Sequence, residues 1–208
     1  MRLKKKKGIK WLLVGILFLL LAGIIHVLTP FPTKELTAED KLPTQFAVPI
    51  NTGFERQGKS QCAAFSTAFV LRNLGQNLGG AEVYADIPYK IPVSGYVLPK
   101  GIITYLRSQG YQPAIYQGDL NSLKTRLVQG NKPLIVLVGN GLFWQHYMTL
   151  VGYDDVKQEL YFFDSGRDGD ENADLSGNRT MTEDYFQTWW SNGLPVFNHI
   201  FITTEKSL

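Results

Sequence analysis

One cysteine, Cys62, and three histidines, His26, His146 and His199, are all the sulfur and imidazole ligands in 208 residues. A single cysteine excludes an internal disulfide. A zinc site needs several Cys or His ligands; only three histidines exist, and no metal motif is formed. No cofactor is expected, and no internal repeat is present. Charge of one sign is also scarce. The formal charge of +3 is local, because the first ten residues hold six basic groups (Arg2, Lys4, Lys5, Lys6, Lys7, Lys10) and no acid. Setting those aside leaves 15 basic against 18 acidic residues. The remainder is mildly acidic, which argues against a nucleic-acid-binding patch. The charged fraction is 19% against 44% apolar, a globular rather than a disordered composition.

What is present begins with a long apolar run. Residues 11–28 contain no Asp, Glu, Lys or Arg. As a helix they span roughly 27 Å, close to the hydrocarbon thickness of a bilayer. The basic block before them predicts a cytoplasmic N-terminus and an extracellular location for the rest of the chain. A cleaved signal usually has a shorter apolar core and a small-x-small site. Here Ala22-Gly23 is followed by more apolar residues, so an uncleaved single-pass anchor in the cell membrane is expected. The chain then divides into a basic segment (1–10), the anchor (11–28), a proline-containing linker (29–45) read as a tether, and one domain (46–208).

An outside location changes the meaning of Cys62. Exported domains use structural cysteines in pairs. The plain alternative is a buried apolar cysteine. The local run Gln57-Gly58-Lys59-Ser60-Gln61-Cys62-Ala63-Ala64-Phe65 passes from polar loop to apolar helix. Ser60 is the expected N-cap of a helix over 61–74 that Gly75 ends. The sulfur then lies in the first helical turn, where free backbone N–H groups stabilise negative charge.

Phe46 opens a short strand over 46–50. Residues 75–98 are Gly- and Pro-rich and read as irregular. Their Tyr84, Tyr89 and Tyr96 are either ordinary loop aromatics or contacts for an extended ligand. Helices come next over 99–109, stopped by Gly110, and over 119–128, capped by Asp119, with a strand over 112–116 between them. Strands then run over 133–138, 147–153 and 159–164. A helix over 182–191, capped by Thr182, and a strand over 198–203 complete the chain. Helices first and an antiparallel sheet later indicate an α+β fold.

Hairpin geometry brings two more chemical groups together. A turn centred near residues 156 and 157 puts His146 and Asp164 at the same open end, within a few residues of facing each other. Asp154 and Asp155 lie at the other end, roughly 26 Å of strand from His146. Cysteine, histidine and carboxylate suggest a thiol hydrolase, with Asp164 orienting the imidazole of His146. His199 is the rival base. Asp168 and Asp170 are rival carboxylates in the loop 167–172, which lacks the full ligand spacing of a calcium loop. Gln57 is the expected second donor to an oxyanion, beside the Cys62 N–H, with Gln61 as its alternative.

These residues resemble the papain-like cysteine peptidases. They are most similar to the bacterial branch that cuts double-glycine leaders from bacteriocin precursors, and to its stand-alone relatives. The resemblance spans 46–203 and rests on 57–64, 130–138, His146-Tyr-Met-Thr-Leu-Val-Gly-Tyr-Asp154 and Leu160-Tyr-Phe-Phe-Asp-Ser-Gly166. It implies a papain-like fold with the nucleophile on an N-terminal helix packed against an antiparallel sheet. It also implies a peptide or protein substrate, with Cys62 as nucleophile, His146 as base, Asp164 as orienter and Gln57 as oxyanion donor. Two departures stand out: Ala63 where such proteins usually have glycine, and Ser165 where many have proline. Two other readings remain on the same fold. One is acyl transfer to an amine; the other is a catalytically silent peptide-binding module.

Overall fold

The computed structural model describes residues 2–35, 41–141, 144–167 and 177–206. Asp168 and Asp170 lie outside the described residues, as do 36–40 of the segment read as a linker.

Helix α1 (Arg2–Leu28) is followed by β1 (Thr33–Lys34), β2 (Gln45–Ala47), α2 (Cys62–Asn73), α3 (Gly80–Asp86), α4 (Pro99–Ser108) and β3 (Tyr111–Gln117). Then come α5 (Leu120–Gly130), β4 (Leu134–Asn140), β5 (Trp144–Asp154), β6 (Glu159–Phe163), β7 (Arg179–Thr182), α6 (Glu183–Trp190) and β8 (Ile200–Lys206). The described strands form one eight-stranded sheet in the order β1-β3-β8-β4-β5-β6-β7, with β2 added on β5. Only β1 with β3 is parallel, so the sheet is mixed and mostly antiparallel.

One stretch of the segment read as a tether, and its last residue Gln45, belong to this sheet. Thr33–Lys34 pairs with Tyr116 and Gln117, and Glu35 bonds Arg126 at 2.8 Å. Gln45–Ala47 pairs with Gly152 to Asp154.

The apolar run of β4 is explained by burial on both faces. Ile135 and Leu137 face the core shared with α2 and α4, while Leu134, Val136 and Val138 face the core shared with α5 and α6. Each fully buried Leu or Ile of this kind contributes roughly 2 kcal/mol. Helix α2 is buried from Cys62 through Leu71. A helix enclosed on all sides must be narrow where neighbours approach, and Ala63, Ala64 and Ala68 are wholly buried. Helix α3 lies so close that a Cβ on Gly80 would fall 2.4 Å from Phe65 Cγ.

Most helix punctuation is where local chemistry predicts it. Asp119 and Ser122 form a reciprocal capping box, Thr182 accepts from the Tyr185 N–H, and Gly75 and Gly110 stop their helices at φ 92° and 80°. Ser60 differs from expectation. It sits at φ 63°, Gln61 occupies the cap position, and no side chain caps α2. The first N–H groups of α2 therefore lack a side-chain partner at the sulfur-bearing end. Helix α3 and strands β1 and β7 were not anticipated.

The β5–β6 hairpin keeps the expected register. Asp154 faces Glu159 and Tyr153 faces Leu160, and a bulge between Leu150 and Gly152 then shifts the pairing by one to set Thr149 against Phe163. The open end carries His146 and Asp164.

Candidate active site

Cys62 is the first residue of α2 and is 2% exposed. His146 lies on β5, and Asp164 immediately succeeds β6. The His146 Nε2 donates to Asp164 Oδ1 at 2.7 Å. Nδ1 is the ring nitrogen that the carboxylate does not engage, and Cys62 is near enough to act on the imidazole.

The electrostatics arise from these contacts. Burial opposes charge on His146. Hydrogen bonds to Asp164 and Cys62, with their negative charge, outweigh it and push the imidazole up to about 9. Burial likewise opposes charge on Asp164, which is 1% exposed. Its hydrogen bond to His146 and that ring's positive charge win, with Arg179 and the Gly166 N–H adding to them, and hold it near 2. The pair is an ionised imidazolium–carboxylate.

Asp164 is bound at every polar atom. Oδ1 also accepts from the Gly166 N–H at 2.8 Å, and Oδ2 accepts from Arg179 Nη1 at 2.7 Å. The Asn178 side chain pairs with its backbone at both ends: Oδ1 accepts from the Asp164 N–H at 2.7 Å, and Nδ2 donates to the Asp164 carbonyl at 3.0 Å. The Arg179 guanidinium lies 4.7 Å over the Trp189 ring. Trp189 meets Trp144 edge-on at 4.9 Å, and Trp144 stacks on His146 at 6.3 Å. A closed circuit of contacts thus runs from imidazole to carboxylate to guanidinium to two indoles and back. It fixes both the ring and its partner.

Gln57 is strapped to the same segment. Its N–H donates to the Ser165 carbonyl at 2.8 Å, and Ser165 Oγ donates to Gln57 Oε1 at 2.6 Å. The Gln57 Nε2 donates to the Gly58 carbonyl at 3.2 Å. Gln61, its alternative, uses Oε1 to accept from the Gly58 N–H at 2.8 Å.

A cavity of about 360 Å³ lies alongside, lined by Ser60, Ile91, Tyr96, Leu98, Trp144 and Gln145 among others. Ser60 and Gln145 of this lining neighbour Cys62 and His146 in the chain, while the buried Cys62 does not itself line the cavity. A larger cleft of about 640 Å³ is lined by β3, Arg107, Arg126 and Glu205 and contains none of these residues.

The other candidates are occupied elsewhere. His199 bonds Ser191 Oγ at 2.9 Å and packs on Trp190. Burial lowers its pKa. Asp154 caps its own turn through the Val156 and Lys157 N–H groups, and Asp155 pairs with Lys124 at 2.6 Å. Among the described residues no group of three His, Cys, Asp or Glu side chains is placed to hold a metal. Of the three loop tyrosines, Tyr96 lines the cavity. Tyr84 bonds Gly95, and Tyr89 packs near His26.

Trp144, Asn178, Arg179 and Trp189 went unnoticed in the sequence. The one available signal was the short, mostly polar run over 178–182, which begins six residues past the acidic loop.

No protein-family model matches the chain, and no curated protein matches it. Solved structures do. The peptidase domain of Streptococcus ComA, a bifunctional ABC transporter involved in quorum sensing, is 19% identical with a TM-score of 0.53, over 74% of this chain and 97% of that one. A double-glycine-motif protease from an AMS/PCAT transporter, in complex with its leader peptide, is 18% identical with a TM-score of 0.52, over 77% of this chain and 92% of that one. A procathepsin B from Trypanosoma congolense is 11% identical with a TM-score of 0.58, over 86% of this chain and 84% of that one. Identities this low carry the fold and nothing finer. The chain has the papain-like α+β fold found in double-glycine peptidase domains and papain-like cysteine proteases, preceded by one exposed apolar helix.

Proposed function

We propose that this chain is a membrane-anchored extracytoplasmic cysteine peptidase. Cys62 is its nucleophile, His146 its acid and base, Asp164 the orienter and Gln57 an oxyanion donor. The observation that carries the reading is His146 held between Cys62 and Asp164, with Nε2 committed to the carboxylate at 2.7 Å.

In this mechanism the imidazolium favours negative charge on the neighbouring sulfur. The sulfur attacks the peptide carbonyl, and its electron pair forms the C–S bond. The negative oxygen is met by the Cys62 N–H and the Gln57 amide, which turns from the Gly58 carbonyl. Each such donor lowers the barrier by on the order of 3 kcal/mol. His146 gives its proton to the leaving amine as the C–N bond breaks. Neutral His146 then takes a proton from water, which cleaves the thioester and restores the sulfur. Asp164 remains ionised throughout, held by Arg179 and the Gly166 N–H.

Helix α1 supports the anchor. Ile9–Leu28 is apolar, long enough to cross a bilayer and unburied within the protein. The basic residues before it put the N-terminus in the cytoplasm and the domain outside. The double-glycine protease of known structure was captured with a leader peptide, which supports a peptide substrate here. A silent peptide-binding module is favoured by one observation, the 2% exposure of Cys62.

Alkylation by iodoacetamide tests the reading. Cys62 in the full chain is expected to be alkylated, and His146→Ala is expected to slow the reaction sharply. Equal slow rates in parent and variant would sink the peptidase reading. Products formed with and without added amine separate hydrolysis from acyl transfer.

A further inference from the structure

Helix α1 does not end in free chain. Leu28 packs against the core cluster that contains Cys62. Lys100, at the start of α4, donates to the His26 carbonyl and reaches Thr29 Oγ1 at 3.3 Å. The Tyr89 ring lies 6.1 Å from the His26 ring and 4.9 Å beneath the Lys100 ammonium. The last turn of the apolar span is thus clasped by the two ends of the 89–100 segment. That segment lies at the level where the span ends.

Between those clasps the chain makes a small hairpin. Lys90 and Val97 form a β-bridge, and the Ile91 and Gly95 N–H groups close the turn on Tyr96 and Ile91 carbonyls. Its tip is apolar and solvent-facing. Val93 is completely exposed and Ile91 is 39% exposed. Val93 also has a φ of 73°, a left-handed conformation that β-branched residues avoid. Neither internal packing nor backbone preference accounts for a valine there. The charge of the neighbouring lysine is drawn away from the tip: Lys90 Nζ donates to the Ala85 carbonyl at 3.1 Å and lies 5.0 Å over the Tyr84 ring. Tyr89 and Lys100 at its base are residue types that settle at a headgroup boundary. The same hairpin forms one wall of the cavity that Ser60, Trp144 and Gln145 also line, through Ile91 and Ser94.

We propose that the 90–97 hairpin seats its apolar tip, Ile91 and Val93, in the outer surface of the lipid bilayer. The cavity between that hairpin, Trp144 and Gln145 is thereby held against the membrane. The contact continues the boundary at which α1 leaves the bilayer, and so rests on α1 being the anchor proposed above.

The test uses the full chain with Cys62→Ser and Val93→Cys. The new thiol is labelled with an environment-sensitive fluorophore, and the protein is reconstituted in phosphatidylcholine and phosphatidylglycerol vesicles. Lipids carrying a nitroxide on the acyl chain are expected to quench the label by roughly half or more, as for a side chain seated at the headgroup–acyl boundary. The same label at Val156→Cys, on the 75% exposed turn between β5 and β6, is expected to stay unquenched. Equal, weak quenching at both positions in protein that floats with the vesicles would overturn the hairpin contact and leave the anchor standing. Protein that fails to float after an alkaline wash would overturn both. Neither readout depends on peptidase activity.

Discussion

Ser165 Oγ donates to Gln57 Oε1 at 2.6 Å, and the Gln57 N–H returns a bond to the Ser165 carbonyl at 2.8 Å. Ser165 comes directly after Asp164, so one short segment orients both the imidazole and the glutamine amide. With its oxygen committed to a hydroxyl, Gln57 can present only its NH2 end to a developing negative oxygen. Ser165 thus takes on an orienting role that a proline, lacking a side-chain donor, could not fill.

Ser165→Ala should leave the amide free to turn over. One neutral hydrogen bond stabilises by roughly 1 kcal/mol, so kcat should fall by about fivefold with little change in KM. Ser165→Thr, which keeps the hydroxyl, should recover most of the loss. A KM effect alone, or no rescue by threonine, would remove the orienting role.

His146 and Asp164 make a pH prediction whose sign is set by their shifts. The His146 pKa is raised from 6.5 to about 9, so the stability it contributes is complete below 6.5 and is lost as pH rises through about 9. The Asp164 pKa is lowered from 3.8 to about 2, so its contribution is complete above 3.8 and is lost as pH falls through about 2. Activity that needs the imidazolium should decline along an alkaline limb near pH 9. Asp164→Asn should move that limb down by one unit or more, whereas Arg179→Met, which removes a positive charge beside the pair, should move it up. An alkaline limb unmoved in Asp164→Asn would show that His146 does not set it. The readout is kcat/KM against pH.

The α2–α3 contact predicts a stability loss remote from the chemistry. A methyl on Gly80 meets the Phe65 ring at 2.4 to 2.6 Å, and Phe65 is 6% exposed with little room to withdraw. Gly80→Ala should cost about 1–3 kcal/mol despite alanine's better helix propensity. In a chain of this size that is a fall in Tm of roughly 3–10 °C. A thermal melt of the full chain in detergent measures it, and an unchanged or raised Tm would show that the helices separate readily.

Local chemistry was legible in the amino-acid sequence. Asp119, Thr182, and the stops at Gly75 and Gly110 act within a turn of the chain. The hairpin register was legible because a short polar turn leaves little freedom in pairing, which brought His146 and Asp164 to one end before any tertiary contact was known. The apolar run before the domain was legible for the same reason: eighteen uncharged residues are long enough to span a bilayer irrespective of the domain attached to them. The failures were equally physical. Helix α3 read as loop because its opening Gly79-Gly80 is a helix breaker in isolation; the glycine is required by a phenylalanine on another helix. Ser60 read as a cap because its type favours one, yet the loop returning from Gln57 holds it at positive φ.

The remainder was decided by the tertiary structure. Asn178 and Arg179 reach Asp164 only because β7 pairs with β6 across a loop that carries no register signal. Trp144 meets Trp189, and Lys100 meets the end of α1, through contacts between residues far apart in sequence. No periodicity encodes such meetings, because each depends on how separate elements share a common core. Side-chain type and spacing determined which groups could do chemistry; sheet order and close helix packing decided which of them are within reach of one another.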